Sequence, residues 1–525
     1  MDQKTKKRPK STDYTSDYKA GQDNVQILGM DVNNPVFTTS AVAIIAFIAF
    51  ALIFPGQAKE WMVGARGWSI ESFDWLFMMG GNIFVLFCLA LILLPVGKVR
   101  LGGADSRPEF STISWFSMLF AAGMGIGLMF WSVAEPVAYY TDWWGTPLNV
   151  EPNTAEARDA AMGAVMFHWG LHPWAIYGVV ALALAFFSFN KGLPLTIRSA
   201  FYPLLGERCW GPIGHVIDII AVIATIFGLA TSLGLGASQA AGGLNVLFGI
   251  ENNITTQIGI IIVVTSIAVL SVMRGLDGGV KVLSNINMIM AGLLVLFVAI
   301  FGSLIGFFGN LVETTVAYGE YLIPLSNWIG RDDTKFYEGW TVFYWAWWIS
   351  WSPFVGMFIA RVSKGRTVRE FMTAVLVVPT IVSIIWMSAF GGNALDQVQG
   401  EIGQLAGGLG DVSSAMFQML ENLPLATITS LIAITLVLVF FITSSDSGSL
   451  VIDSITAGGK VETPVPQRIF WATMVGLIAG VLLFGGGSEA LSSLQAGAVT
   501  TGLPFTVILL LMCVSIYKGL RSELY

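Results

Sequence analysis

The residues with the clearest binding chemistry form an aromatic run near the middle of the chain. Four tryptophans and one tyrosine lie between Tyr344 and Trp351. At 100° per residue, one helical face carries Tyr344, Trp347, Trp348 and Trp351. Such a face can hold a quaternary ammonium group, because indole rings attract a cation that donates no hydrogen bonds. Tryptophan also collects at membrane interfaces, so an interfacial belt is the alternative interpretation.

A second aromatic group lies about 175 residues earlier. An arc of about 140° on one helix carries three of its members: Trp169, Trp174 and Tyr177. His168 and His172 in the same segment are four residues apart, a spacing also used by metal ligands. No cysteine or carboxylate accompanies these two histidines, which favours a structural role. Glu135 closes an earlier apolar segment, either as an interfacial group or as one that faces a pathway.

Glycines and hydroxyls supply two further candidate sites. Gly123, Gly125 and Gly127 alternate along one apolar segment. Gly123 and Gly127 fit a GxxxG packing face, yet each glycine costs a helix about 1 kcal/mol, which favours local unwinding. Unwound backbone exposes carbonyls to a cation and N–H groups to a carboxylate. Thr443 and Ser444 either bond back to the preceding turn or offer hydroxyl oxygens to Na⁺.

The elements that must position these residues are membrane helices. The 525 residues are 55% hydrophobic and only 12% charged, and apolar runs of about twenty residues recur, each long enough to cross a bilayer. We predict twelve spans: 36–55, 72–96, 113–137, 161–188, 213–248, 254–273, 285–308, 340–360, 370–392, 425–445, 468–486 and 492–516. The net charge of −7 is spread over loops and predicts no nucleic-acid partner.

The basic residues predict the orientation of these spans. With twelve spans, 22 of the 27 Lys and Arg residues fall on the side of the N-terminal tail. The positive-inside rule therefore predicts that both termini are cytoplasmic. The tail, residues 1–34, is polar, carries no apolar signal-peptide core, and is predicted to be disordered. Residues 309–339 are predicted to form an external amphipathic helix and loop.

Two spans are predicted to be interrupted. The third contains the alternating glycines, and the eighth contains the tryptophan run with Pro353, which lacks a backbone donor. The third to seventh spans (113–308) and the eighth to twelfth (340–516) each number five, so the two blocks enter the membrane from opposite sides. Broken spans at corresponding positions of inverted repeats point to a transporter's substrate site.

Three motifs resemble the betaine/choline/carnitine transporter family: Gly123 to Gly127, Trp340 to Arg361, and Thr443-Ser444. The resemblance covers about residues 36–516. It implies an all-α membrane protein of twelve transmembrane helices, in which two additional helices (35–112) precede two inverted, LeuT-like five-helix repeats. A short cytoplasmic C-terminal tail, 517–525, is expected to follow.

The resemblance also implies site residues. The substrate would contact the following: Trp169, Trp174, Tyr177, Trp347, Trp348, Trp351, Met124, Gly125 and Gly127. One sodium site would comprise carbonyl and hydroxyl oxygens of these residues: Ala121, Met124, Phe440, Thr443 and Ser444. A second sodium site has Thr225 but Leu229 where relatives carry another threonine.

The expected function is secondary transport, not enzymatic catalysis. The protein would import betaine-type zwitterions with Na⁺ by alternating access, in the bacterial cytoplasmic (inner) membrane, with lipid around it and no cofactor beyond the coupling ion. Family members often form homotrimers. Residues 211–250 contain no Lys or Arg, whereas sodium-independent exchangers of the family carry a basic side chain there, so sodium coupling is favoured. A choline or carnitine carrier and a sodium-independent exchanger remain alternatives.

Substrate charge follows from the lack of an acidic group at the centres of the third, fourth and eighth spans, because Glu135 lies two turns beyond Gly127. A choline cation would lack an anionic partner there, whereas a betaine brings its own carboxylate. The sequence therefore predicts a preference for zwitterions, and Gly127→Asp is predicted to shift the preference towards choline.

Overall fold

A computed structural model describes Tyr14 and residues 16–123, 125–274 and 279–524. These residues form seventeen α-helices, several short 3₁₀ turns and one β-hairpin. The first ten helices are α1 (Asn34–Ile53), α2 (Pro55–Leu93), α3 (Thr112–Gly123), α4 (Ile126–Tyr140), α5 (Ala155–Trp169), α6 (Leu171–Phe189), α7 (Tyr202–Leu205), α8 (Pro212–Phe248), α9 (Ile254–Arg274) and α10 (Gly279–Ser326). The remaining helices are α11 (Thr334–Phe336), α12 (Val342–Val362), α13 (Val368–Gln399), α14 (Ala415–Leu420), α15 (Ala426–Thr456), α16 (Val465–Gly486) and α17 (Ala490–Ser522).

Ten helical stretches in the described residues are long and apolar enough to cross a membrane. They correspond to ten of the twelve predicted spans and confirm an all-α membrane protein. The third predicted span is divided between α3 and α4, each of which is too short to cross alone. The eighth predicted span is α12, where tryptophan, tyrosine and serine lower the mean hydropathy of the 21 residues.

The expected interruption of the third span is present. Helix α3 ends at Gly123, and α4 begins at Ile126 after an extended Gly125 with φ −167° and ψ −176°. Met124 lies outside the described residues. The break places the first turn of α4, which has unpaired backbone N–H groups, inside the bundle.

The expected interruption at Pro353 is wrong, because α12 is one continuous helix. Proline removes the N–H group that would bond to the carbonyl four residues earlier, that of Ile349. The Ser352 hydroxyl donates to this carbonyl at 2.7 Å. The serine therefore replaces the missing backbone donor, as Ser and Thr do at prolines in membrane helices.

The fourth predicted span contains a break that the sequence analysis missed. Helix α5 ends at Trp169 and α6 begins at Leu171, with Gly170 non-helical between them. The Tyr318 hydroxyl from α10 enters this gap and accepts the Leu171 N–H at 2.8 Å. A Cβ atom at Gly170 would lie 2.5 Å from that hydroxyl, so only glycine fits.

The N-terminal segment is partly ordered, which corrects the prediction of disorder for residues 1–34. Strands β1 (Asn24–Ile27) and β2 (Met30–Asn33) form an antiparallel hairpin with Asn24 opposite Asn33. The Asp31 carboxylate pairs with Lys460, and the Asp31 N–H donates to the side-chain oxygen of Gln467 at 2.9 Å. Residues 1–13 and 15 lie outside the described residues.

An ionic cluster connects helices α5, α10 and α13 at one end of the bundle. Arg158 of α5 donates to carboxylates on the other two helices, Glu313 at 2.8 Å and Asp396 at 2.9 Å. The same guanidinium donates to side-chain oxygens of Asn310 and Gln399, each at 2.8 Å. The predicted helix within 309–339 is therefore the end of α10, held against the bundle by this cluster.

Candidate functional site

The two predicted aromatic groups meet in one cavity inside the bundle. The cavity contains about 490 Å³ of space free of protein atoms, part of which is open to solvent. Helices α4, α5, α6, α8, α12 and α13 all contribute to its wall. Its lining residues are Gly125, Gly127, Leu128, Trp169, Pro173, Trp174, Tyr177, Ser232, Trp347, Trp348, Trp351 and Ser383.

Three indole rings and one phenol ring form a cage, defined here as Trp169, Trp347, Trp348 and Tyr177. Trp347 and Trp348 are stacked, with centroids 4.8 Å apart and planes 15° apart. Trp169 lies edge-on to Trp348, at 4.9 Å and 74°. Tyr177 approaches Trp348 at 6.2 Å and 78°. Rings from α5, α6 and α12 therefore surround a common space, which is the arrangement that binds quaternary ammonium groups.

The three indoles of α12 that line the cavity each have their N–H group bonded to protein. Trp347 donates to the Ser232 hydroxyl at 3.1 Å. Trp348 donates to the His168 carbonyl at 3.0 Å, and Trp351 donates to a carbonyl of α8 at 2.9 Å. These bonds fix the ring orientations. A ligand in the cavity therefore meets the apolar faces and edges of the rings, not their donors.

The alternative of an interfacial tryptophan belt is excluded for the centre of this run. Trp347 is 1% exposed and Trp348 is 6% exposed, with the bundle around them. Belt residues instead lie on the lipid-facing surface at the level of the headgroups. The run therefore belongs to the interior of the protein.

Position 127 requires glycine, because two indole rings occupy the space that a side chain would fill. A Cβ atom at this position would lie 2.6 Å from Cη2 of Trp347 and 3.0 Å from Cη2 of Trp169. The GxxxG interpretation correctly required that another group approach Gly127 closely. The groups that do so are rings of the cage and not the backbone of a neighbouring helix. Gly127→Asp would displace those rings, so the predicted shift towards choline cannot be tested cleanly with that variant.

The N-terminus of α4 provides donors beside the cage. Gly125, Gly127 and Leu128 line the cavity, and the first-turn N–H groups of a helix have no partner within it. The helix dipole adds partial positive charge at the same end. This end of the cavity is suited to a carboxylate, whereas the rings are suited to a cation.

Four of the five predicted sodium-site residues line a second cavity. Ala121, Phe440, Thr443 and Ser444 lie in the wall of this second cavity, and Trp351 lines both cavities. Thr443 donates to its own helix, to the Val439 carbonyl at 2.9 Å. The fifth residue, Met124, lies outside the described residues. At the second predicted sodium site, Thr225 bonds back to Ala221 and Leu229 is buried.

The two histidines are used in packing and hydrogen bonds. His172 contacts the Asn82 side chain at 3.1 Å and stacks on Trp345 at 5.0 Å. His168 contacts the Glu135 carboxylate through Nδ1 at 2.8 Å. Among the residues that the structure describes, no group of three or more His, Cys, Asp or Glu could hold a metal ion.

Sequence reasoning missed several cavity residues and underestimated Glu135. Ser232, Ser383, Leu128 and Pro173 line the cavity without any sequence motif that marks them. Glu135 is fully buried and bonded to the cage. The sequence did carry a signal for the importance of Glu135: it is an ionisable residue inside an apolar segment, four positions from a tyrosine.

The fold and the cavity define a class: a multi-pass membrane protein with an aromatic cavity inside its helical bundle. Comparison with known proteins agrees. The BCCT, betaine/carnitine/choline family transporter model matches residues 35–525. The chain therefore belongs to this family of transporters and is not an enzyme, as the sequence motifs predicted.

Named relatives match nearly the whole chain. Glycine betaine transporter 1 of Vibrio parahaemolyticus is 63% identical, over 97% of this chain and 98% of the relative. A glycine betaine/proline/choline/ectoine transporter of the same organism is 61% identical, over 97% of this chain and 91% of its own length. The glycine betaine transporter OpuD of Bacillus subtilis is 43% identical, over 91% and 92% respectively.

Proposed function

We propose that this protein imports glycine betaine or a closely related zwitterion together with Na⁺. The observation that carries the proposal is the pairing of an aromatic cage with the free N–H groups of α4 in one cavity. The trimethylammonium group would lie among the rings, and the carboxylate would lie at the helix N-terminus. Relatives named for glycine betaine at 63% and 43% identity support the same substrate class.

Sodium coupling is supported by the hydroxyl and carbonyl oxygens around the second cavity. We propose Ala121, Phe440, Thr443 and Ser444 as ligands, with Met124 as the fifth. Hard oxygen donors suit Na⁺. Trp351 borders both cavities, so an ion in one would affect the substrate in the other. No cofactor is required, because the sodium gradient supplies the energy.

We also propose twelve spans arranged as two inverted repeats. The third to seventh spans contain α3/α4, α5/α6, α8, α9 and α10, and the eighth to twelfth contain α12, α13, α15, α16 and α17. If each span of the first block is exchanged with the corresponding span of the second, contacts between helices map onto other contacts. The contact of α6 with α12 maps onto the contact of α13 with α4. Likewise α8 packs on α17, and α15 on α10. Such symmetry supports alternating access by relative motion of the repeats.

Choline is a second candidate substrate. The relative at 61% identity is named for choline as well as for betaine, proline and ectoine. The buried Glu135 beside the cage also weakens the argument that the site lacks an anion.

A location in the bacterial inner membrane with cytoplasmic termini completes the proposal, and assembly as a trimer is expected from the resemblance.

Purified protein in proteoliposomes provides the test of coupling. Radiolabelled glycine betaine should accumulate under an inward Na⁺ gradient, and unlabelled betaine should compete more strongly than choline. Thr443→Ala with Ser444→Ala should raise the Na⁺ concentration for half-maximal uptake. If Na⁺ and betaine each raise the affinity for the other by the same factor, this double variant should also lose the gain in betaine affinity that Na⁺ gives the wild-type protein. Equal uptake when K⁺ replaces Na⁺ would refute the coupling and favour exchange.

A further inference from the structure

One buried carboxylate connects the helices that carry the cage. Glu135 of α4 has no exposed surface. Its Oε2 accepts from Trp169 Nε1 at 2.7 Å and from the Tyr344 hydroxyl at 2.6 Å. Its Oε1 accepts from the Tyr139 hydroxyl at 2.8 Å and lies 2.8 Å from His168 Nδ1. The four partners come from α4, α5 and α12, so this side chain fixes three helices relative to one another.

The partners of Glu135 are those of an ionised carboxylate. An ionised carboxylate only accepts hydrogen bonds, at about four lone-pair positions, and four donors surround this one. A neutral His168 satisfies its own contacts, since Nδ1–H donates to Glu135 and Nε2 accepts from the Thr341 hydroxyl at 2.9 Å. In the described ranges, the ion-pair partner of Glu135 is His168 and not a Lys or Arg. With His168 neutral, the negative charge of Glu135 is held by neutral donors beside the cage.

This charge acts on the rings that face the ligand. Trp169 and Tyr344 both donate to the anion, which polarises them towards greater electron density in the ring. Tyr344 stacks on Trp348 with centroids 5.8 Å apart and planes 27° apart. Trp169 contacts the same Trp348 edge-on, and the Trp169 and Tyr344 rings also contact each other, with centroids 5.7 Å apart. The carboxylate therefore determines the position of two groups that hold Trp348 in place, and it adds negative potential behind the cage.

We propose that Glu135 is a positioning residue that sets the charge preference of the substrate site. The proposal rests on the proposed function, because it takes an ammonium compound as the ligand. A cation without its own carboxylate, such as choline, depends on this negative charge for compensation. A zwitterion depends on it less, since its own carboxylate compensates part of the ammonium charge. Removing the charge should thus weaken choline binding more than betaine binding.

The test compares dissociation constants of glycine betaine and choline for protein in lipid nanodiscs, measured by tryptophan fluorescence. Glu135→Gln keeps the size of the side chain but removes the charge. We expect choline affinity to fall by about tenfold or more, because the variant removes the Coulomb attraction between a nearby anion and the ammonium group in a low-dielectric site, and betaine affinity to fall less. An equal fall for both ligands, or no fall, would overturn the proposal.

Two tyrosine variants separate positioning from a general loss of packing. Tyr344→Phe removes a donor on the cage side of Glu135, and Tyr139→Phe removes one on the opposite oxygen. Tyr344→Phe should reduce affinity for both ligands more than Tyr139→Phe does, and equal effects would contradict a positioning role. This pair keeps the test decisive if Glu135→Gln fails to fold. Failure of the wild-type protein to bind either ligand would instead refute the proposed function.

Discussion

Adding one methyl group at Gly127 should distort the cage. The new Cβ atom would lie 2.6 Å from Trp347 and 3.0 Å from Trp169, whereas carbon atoms pack at about 3.5–4.0 Å. The two rings would therefore have to move by about 1 Å. Both are anchored, Trp347 through Ser232 and Trp169 through Glu135, so they cannot move freely.

The cost of this movement sets the expected loss of affinity. Over-packing of a dense interior costs about 1–3 kcal/mol, which corresponds to about a 5- to 150-fold weaker dissociation constant if the bound state requires the native cage. Alanine is also a better helix former than glycine, by about 1 kcal/mol. A loss of binding by Gly127→Ala therefore cannot be attributed to a weaker α4.

The assay is equilibrium binding of glycine betaine to detergent-purified variants. Gly259→Ala is the matched control, because its Cβ atom would contact nothing within 4 Å on the exposed face of α9. Gly125→Ala also meets no atom within 4 Å, and it should affect binding less than Gly127→Ala. Wild-type affinity in the Gly127→Ala protein would refute the proposed position of the cage rings.

Three further substitutions test other parts of the structure. Trp348→Ala should weaken betaine binding by about 0.5–2 kcal/mol, and Trp348→Phe should weaken it less. The surface variant Trp61→Ala should leave binding unchanged. Equal betaine affinities of the Trp348→Ala and wild-type proteins would exclude a cation–π role for Trp348. Ser352→Ala should lower thermal stability by about 1–3 kcal/mol, because it leaves a buried carbonyl unpaired, and Ser350→Ala, which loses a longer bond of 3.3 Å, should cost less. Arg158→Lys should destabilise the protein, because a lysine cannot replace the planar fork with four partners; an unchanged melting temperature would show that the cluster contributes nothing.

Much of the fold could be predicted because a bilayer demands long apolar helices. The apolar runs identified the helices, and the alternating glycines identified the break between α3 and α4. The helical periodicity also placed Trp347, Trp348 and Trp351 on one face, which lines the cavity. These features depend on residues close together in sequence, so local rules are sufficient for them.

Other features depend on distant partners and could not be predicted from local patterns. The break at Gly170 is stabilised by Tyr318, which is 148 residues away and on another helix. The hairpin within residues 24–33 is held by Lys460 and Gln467 near the start of α16. Pro353 looked like a break because the ability of Ser352 to replace the missing donor depends on the side-chain rotamer.

The importance of Glu135 was underestimated for the same reason. The sequence placed it two turns beyond Gly127, near a predicted membrane boundary. The structure shows that its side chain reaches partners on α5 and α12, so a carboxylate from the end of the span contacts the cage. A prediction of substrate charge that counts acidic residues only at span centres therefore omits this group.

The central claim is that the cage recognises positive charge, and an isostere of glycine betaine that lacks only the cationic charge tests it most directly. In 3,3-dimethylbutanoate a carbon atom replaces the nitrogen, so the shape and the carboxylate remain while the cation is lost. If ring quadrupoles bind the ammonium group, the wild-type protein should bind glycine betaine at least about tenfold more tightly than this analogue, since desolvated cation–π contacts are worth about 2 kcal/mol or more. Equal dissociation constants for the two compounds would show that the cavity recognises apolar shape alone and would contradict the account.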